Sequence, residues 1–64
     1  MAFRKFQVRD EMDGQWGVVY NDDAKGIVTV YPVIFTDYNK AVKCADRFER
    51  NGADTVGWKI VAKL

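Results

Sequence analysis

The sequence has no histidine and no serine, one cysteine and one proline. Each shortage removes chemistry. Without histidine, the usual general base near neutral pH and the commonest zinc ligand are missing. Without serine there is no seryl nucleophile, and Thr29, Thr36 and Thr55 are the only hydroxyls besides tyrosine. Cys44 cannot close an intrachain disulfide, and with no imidazole to activate it the expected role is that of a small buried hydrophobe. No glycine-rich phosphate loop and no pair of carboxylates facing a concave site can be placed. The expectation is a protein that is not an enzyme and carries no cofactor or metal. Long apolar runs are scarce too. The longest, Ile27 to Phe35, is about half of the roughly 20 residues that span a bilayer, and Met1 to Phe6 has no apolar signal stretch. No membrane association is expected, and the expected location is the cytoplasm.

What remains is globular in composition. Of 64 residues, 48% are hydrophobic, 14% aromatic and 30% charged, with a formal net charge of +1. This fits one folded domain spanning 1–64 and excludes a disordered chain. A domain this small hides only about 60% of its unfolded surface, so its stability depends on dense packing or on a partner.

Local patterns order the elements as β-β-β-α-β. Phe3 to Glu11 alternates, with Phe6 and Val8 on one side and Lys5, Gln7 and Arg9 on the other. Asp13-Gly14 suits a tight hairpin turn into a second strand, Trp16 to Tyr20. The polar stretch Asn21 to Gly26 leads into a third strand, Ile27 to Phe35, whose apolar residues occupy both parities. Pro32 lacks the N–H that an interior strand uses and places this strand at an edge or at a bulge. From Thr36-Asp37, where either side chain suits a helix N-cap, the period becomes 3.6. Tyr38, Ala41, Val42, Ala45 and Phe48 then share an arc of about 120°, and Asn51-Gly52 closes the helix. Val56 to Leu64 alternates as a fourth strand.

The predicted fold is α+β, a two-layer sandwich with one helix on one face of a four-stranded, mostly antiparallel sheet. Strand four can pair with strand three or strand one. A parallel position beside strand one is favoured, because it leaves Pro32 on an edge. Phe6, Val8, Trp58 and Ile60 are then expected under the helix, with the opposite sheet face open.

Charge is segregated along the chain. Residues 1–9 hold three bases and no acid, residues 10–37 six acids and one base, and residues 38–64 six bases and three acids. The acids fall at turns, where their side chains accept backbone hydrogen bonds, and their spacing does not match a calcium loop. The helix is more informative. Lys40, Lys43, Arg47 and Arg50 fall within about 80° opposite the apolar stripe, a basic ridge about 15 Å long. It reads either as a solvated face or as a surface for phosphates or acidic protein. The open sheet face is the second candidate surface. It carries Lys5, Gln7, Arg9, Lys59, Val61 and Lys63 with either Tyr31, Val33 and Phe35 or Val28, Val30 and Ile34.

Gly14-x-Trp16-x-Val18, followed by Phe35-Thr36-Asp37 and by Ala41 and Ala45, resembles small β-rich, single-helix proteins of bacteria and their phages. In length and element order the chain is similar to phage-encoded inhibitors of host machinery. That resemblance implies docking on a protein partner through a sheet edge and charged surface. The expected function is therefore a non-enzymatic interaction module, of phage or mobile-element type, binding a protein partner or a second copy through the open sheet face. Trp16 and Tyr31 are its candidate anchors, while Trp58 is expected in the core. The alternative is a nucleic-acid-binding domain that uses Lys5, Arg9, Lys40, Lys43, Arg47 and Arg50.

Overall fold

The computed structural model describes residues 5–64, so the predicted start of strand one at Phe3 lies outside the described residues. Four strands and one helix follow in the predicted order: β1 Phe6–Met12, β2 Gln15–Asp22, β3 Ile27–Val30, α1 Tyr38–Asn51 and β4 Lys59–Lys63. The fold is α+β, with one helix on a four-stranded sheet.

The local signals act where the sequence puts them. Asp13 and Gly14 both take positive φ, 56° and 73°, the primed turn whose twist matches the strands it joins. The Asp37 side chain accepts a hydrogen bond from the Asn39 N–H at 2.9 Å and caps the helix, so Asp37 rather than Thr36 is the N-cap. At the other end Gly52 adopts φ 80°, ψ 169°, a region essentially reserved for glycine, and its N–H donates to the Phe48 carbonyl at 2.7 Å.

Strand order departs from expectation. It is β1-β2-β3-β4, and every neighbouring pair is antiparallel. The expected parallel position of β4 beside β1 is therefore wrong. The helix does run antiparallel to β3, beginning beside Trp16 and ending where Glu49 accepts the Lys5 N–H at 2.9 Å. Residues 52–58, which include Gly52 and Gly57 at positive φ, then carry the chain back. As a result Lys59 pairs with Val30 and Lys63 with Ile27. The expectation assumed that the strand would begin where the helix ends; a seven-residue return removes that constraint.

Pro32 is accommodated by interruption. β3 stops at Val30, and the chain rejoins β2 only at Phe35, which exchanges backbone hydrogen bonds with Trp16 at 2.7 and 2.8 Å. Five steps from Val30 to Phe35 oppose three from Val19 to Trp16. Because the excess is two residues, Tyr31 and Phe35 stay on the same side of the sheet.

The core lies between α1 and the first two strands. Phe6, Val18, Ala41 and Ala45 are buried, and the two alanines let the helix approach the sheet. Against them pack the rings of Tyr20, Tyr31, Phe48 and Trp58, which puts Trp58 in the core as expected. Phe6 sits 4.9 Å from Tyr20, 5.5 Å from Phe48 and 6.2 Å from Trp58, centroid to centroid.

α1 lies over β1 and β2 and not over β3 or β4. Ile60, expected beneath the helix, is instead 58% exposed. A bulge where Thr29 pairs with Ile60 and Val28 with Ala62 also breaks the simple alternation expected along 56–64.

Candidate functional site

The open sheet face is more polar than an apolar docking surface requires. The register places Gln7, Arg9, Asn21, Val28, Val30 and Lys59 there, around the buried Val19. Arg9 donates from Nε and Nη2 to the two carboxylate oxygens of Glu11, each at 3.0 Å. This pair lies flat because Gly17 has no side chain: a Cβ there would fall 2.5 Å from Glu11 Oε1. Arg9 is thus already matched to a carboxylate and offers little to a phosphate. Tyr31 and Phe35, one of the two sets considered for this face, lie on the helix side, and Val28 and Val30 take the outer position.

The basic ridge has a different setting from the one its wheel suggests. Lys40, Lys43 and Arg47 border a cleft of about 370 Å³ between α1 and the segment leading out of β3. Its other walls are Tyr31, Phe35, Phe48 and Cys44. Three elements build it. Periodicity along α1 aligns the cations, the interruption at Pro32 swings the 31–35 segment out, and the Trp16 backbone pins Phe35 in place. Lys40, Lys43 and Arg47 are exposed, and none forms an ion pair with a described residue. Uncompensated cations along an apolar wall produce a positive potential strengthened by the low-dielectric surface beneath it.

The candidate residues thus divide. Tyr31, Lys40, Lys43 and Arg47 come together at the cleft. Arg50 lies outside it, in the last helical turn, where a cation complements the helix dipole. Trp16 is half-buried, its ring meets Tyr38 edge to face at 4.8 Å, and its backbone holds Phe35; it does not line the cleft. Lys5 contributes its backbone N–H to Glu49. Phe35 is expected on the open sheet face in one of the two sets considered, and Phe48 in the helix's apolar stripe; neither is expected beside the basic ridge. Phe48 was visible only as part of the apolar stripe, and the recurrence of aromatics at Tyr31 and Phe35 was the available signal for the other wall.

Three of the aspartates serve as turn acceptors. Asp10 accepts from the Met12 N–H at 2.8 Å, Asp22 from Lys25 at 3.2 Å and Asp54 from Val56 at 3.0 Å. Among the described residues no three Cys, Asp or Glu side chains gather as metal ligands would.

Burial pushes the Cys44 thiol above its ordinary pKa, and the nearby Arg47 charge pulls it partly back. The neutral thiol is therefore the favoured form in the fold. Because the folded state keeps its proton to higher pH than the unfolded chain does, this contribution to stability is complete at neutral pH. It is lost as pH climbs past the ordinary thiol range. A Cys44→Ala variant should show a smaller loss of stability than the wild type between pH 8 and pH 10 in urea titrations. An equal loss in both would show that the thiol does not contribute.

No protein-family model, no curated protein and no solved structure matches the chain. The resemblance to phage inhibitors thus rests on length and element order alone. No helix among the described residues is long and apolar enough to cross a membrane.

Proposed function

We propose that this chain is a non-enzymatic binding module that holds a polyanionic partner in the cleft beside α1. One observation carries the reading: Lys40, Lys43 and Arg47, unpaired within the described fold, line a concave surface rather than a convex one. Surface cations usually project into solvent and are screened, whereas cations converging on a concavity act on a common ligand. The proposed location is the cytoplasm, where the single cysteine would stay reduced.

The test is titration with inorganic polyphosphate at two salt concentrations. Affinity should fall steeply with salt, since each neutralised phosphate releases counterions. Reversing two charges in a Lys43→Glu, Arg47→Glu double variant should weaken binding by at least about tenfold. Both positions are exposed, so the fold should change by no more than about 1 kcal/mol for the pair. Unchanged affinity in that variant overturns the proposal.

A second reading, docking on a protein, is favoured by a separate observation. Val56, Ile60 and Leu64 are 87%, 58% and 62% exposed in and beside the edge strand β4. Self-pairing of two β4 strands centred on Val61 would set Lys59 against Lys63, so this edge suits a different chain better than a second copy. Such binding would be insensitive to salt and would show a negative heat-capacity change.

A further inference from the structure

Resting on the cleft reading, we propose that the polyanion is a single-stranded nucleic acid. Its phosphates would lie along Lys40, Lys43 and Arg47, and one base would stack on the ring of Phe35.

The argument begins with what polyanion binding leaves unexplained. A chain of phosphates alone needs only the cations, yet Tyr31, Phe35 and Phe48 form much of the cleft's remaining wall. Tyr31 and Phe48 are occupied: they meet edge to face at 5.1 Å, and both contact Trp58, at 5.2 and 5.8 Å. Phe35 differs. It is half-buried, has no ring partner among the described residues, and is held from behind by two backbone hydrogen bonds to Trp16. With its backbone pinned at the cleft wall, its ring packed partly against the core and no other ring against it, Phe35 offers a face on which a base can stack. Bases stack on such rings without regard to sequence.

Dimensions agree. Lys40 to Arg47 spans about 10 Å of helix at 1.5 Å per residue. A stacked strand presents about three phosphates over that length at 3.4 Å each. The cleft volume of about 370 Å³ falls within the roughly 300–1,000 Å³ of sites that enclose small organic groups. A duplex would reach the cations but keeps its bases stacked inside, away from Phe35. An acidic peptide would also reach the cations, but Asp and Glu side chains offer no flat apolar face for the ring.

The experiment is fluorescence anisotropy with a labelled, mixed-sequence 12-nucleotide single strand at low salt. Competing arms contain polyphosphate, a duplex of the same sequence and a glutamate-rich peptide. The single strand should bind at least about tenfold more tightly than polyphosphate of equal charge. Phe35→Leu keeps apolar bulk and removes the π face; it should weaken the single strand about fivefold or more and leave polyphosphate unaffected. Phe35→Tyr should retain both affinities. Should Phe35→Leu fail to fold, 2-aminopurine placed along the strand supplies the test in the wild type, because stacking quenches its emission.

Equal affinity for single strand and polyphosphate, an unaffected Phe35→Leu variant, or unquenched 2-aminopurine would each overturn the nucleic-acid assignment while leaving the polyanion reading standing. Tighter binding of the acidic peptide would overturn it in favour of a protein partner. Binding of none of these anions would overturn both readings.

Discussion

Phe6→Ala should be among the most destabilising single substitutions in the chain, lowering its stability by about 3–5 kcal/mol. Phe6 is 4% exposed and lies where the helix, both hairpin strands and the return loop meet, with Tyr20, Phe48 and Trp58 around its ring. Truncating a buried phenylalanine costs about 3–5 kcal/mol, the lost transfer energy together with the cavity left behind. A 64-residue domain at 0.05–0.15 kcal/mol per residue has roughly 3–10 kcal/mol in total. The substitution therefore removes about 30% of the stability in the most favourable case and all of it at the lower end of that range. Urea denaturation followed by tryptophan fluorescence would measure it. Phe6→Leu, which leaves a smaller void, should be clearly less damaging than alanine. A loss below about 1 kcal/mol for Phe6→Ala would mean that the helix rests on the sheet without this ring.

Thr29→Val should stabilise the protein. Thr29 is 6% exposed in the interior strand β3, and its hydroxyl has no hydrogen-bond partner among the described residues. A buried polar atom without a partner has lost its hydration and gained nothing in return, a cost of about 1–3 kcal/mol. Valine has nearly the same shape, favours strands, and leaves the pairing with Tyr20 and Ile60 untouched. A gain of about 1 kcal/mol would raise Tm by roughly 4–8 °C in a domain of this size. A lower Tm would show that the hydroxyl is hydrogen-bonded in solution.

What could be read from the sequence was local. The Asp13-Gly14 turn, the Asp37 cap and the Gly52 terminus each depend on a few adjacent residues, and all three fall where composition and periodicity put them. The position of β4 was not legible. It depends on how far residues 52–58 double back, and nothing in their composition separates a short link from a full return. Ile60 was misplaced for a related reason: alternation says which residues share a face but not whether the helix covers that part of it. The cleft was half legible. Helical spacing aligns Lys40, Lys43 and Arg47, but their meeting with Tyr31 and Phe35 follows from the sideways placement of α1 over β1 and β2. Ala41 and Ala45, both buried, permit the close approach that placement involves, a matter of packing between distant segments.

The helix's limited footprint has a kinetic side. β1 and β2 are clamped between their own ladder and α1, whereas β4 is retained by one ladder to β3 and by the ring of Trp58 just before it. The strand with the fewest restraints is the first to fray, so the domain should breathe from its β4 edge inward. An excursion that extends to Trp58 would draw its ring away from Tyr31 and Phe48, two of the rings that wall the cleft. The proposed binding surface would thus be coupled, from its hidden side, to the opening and closing of the last strand.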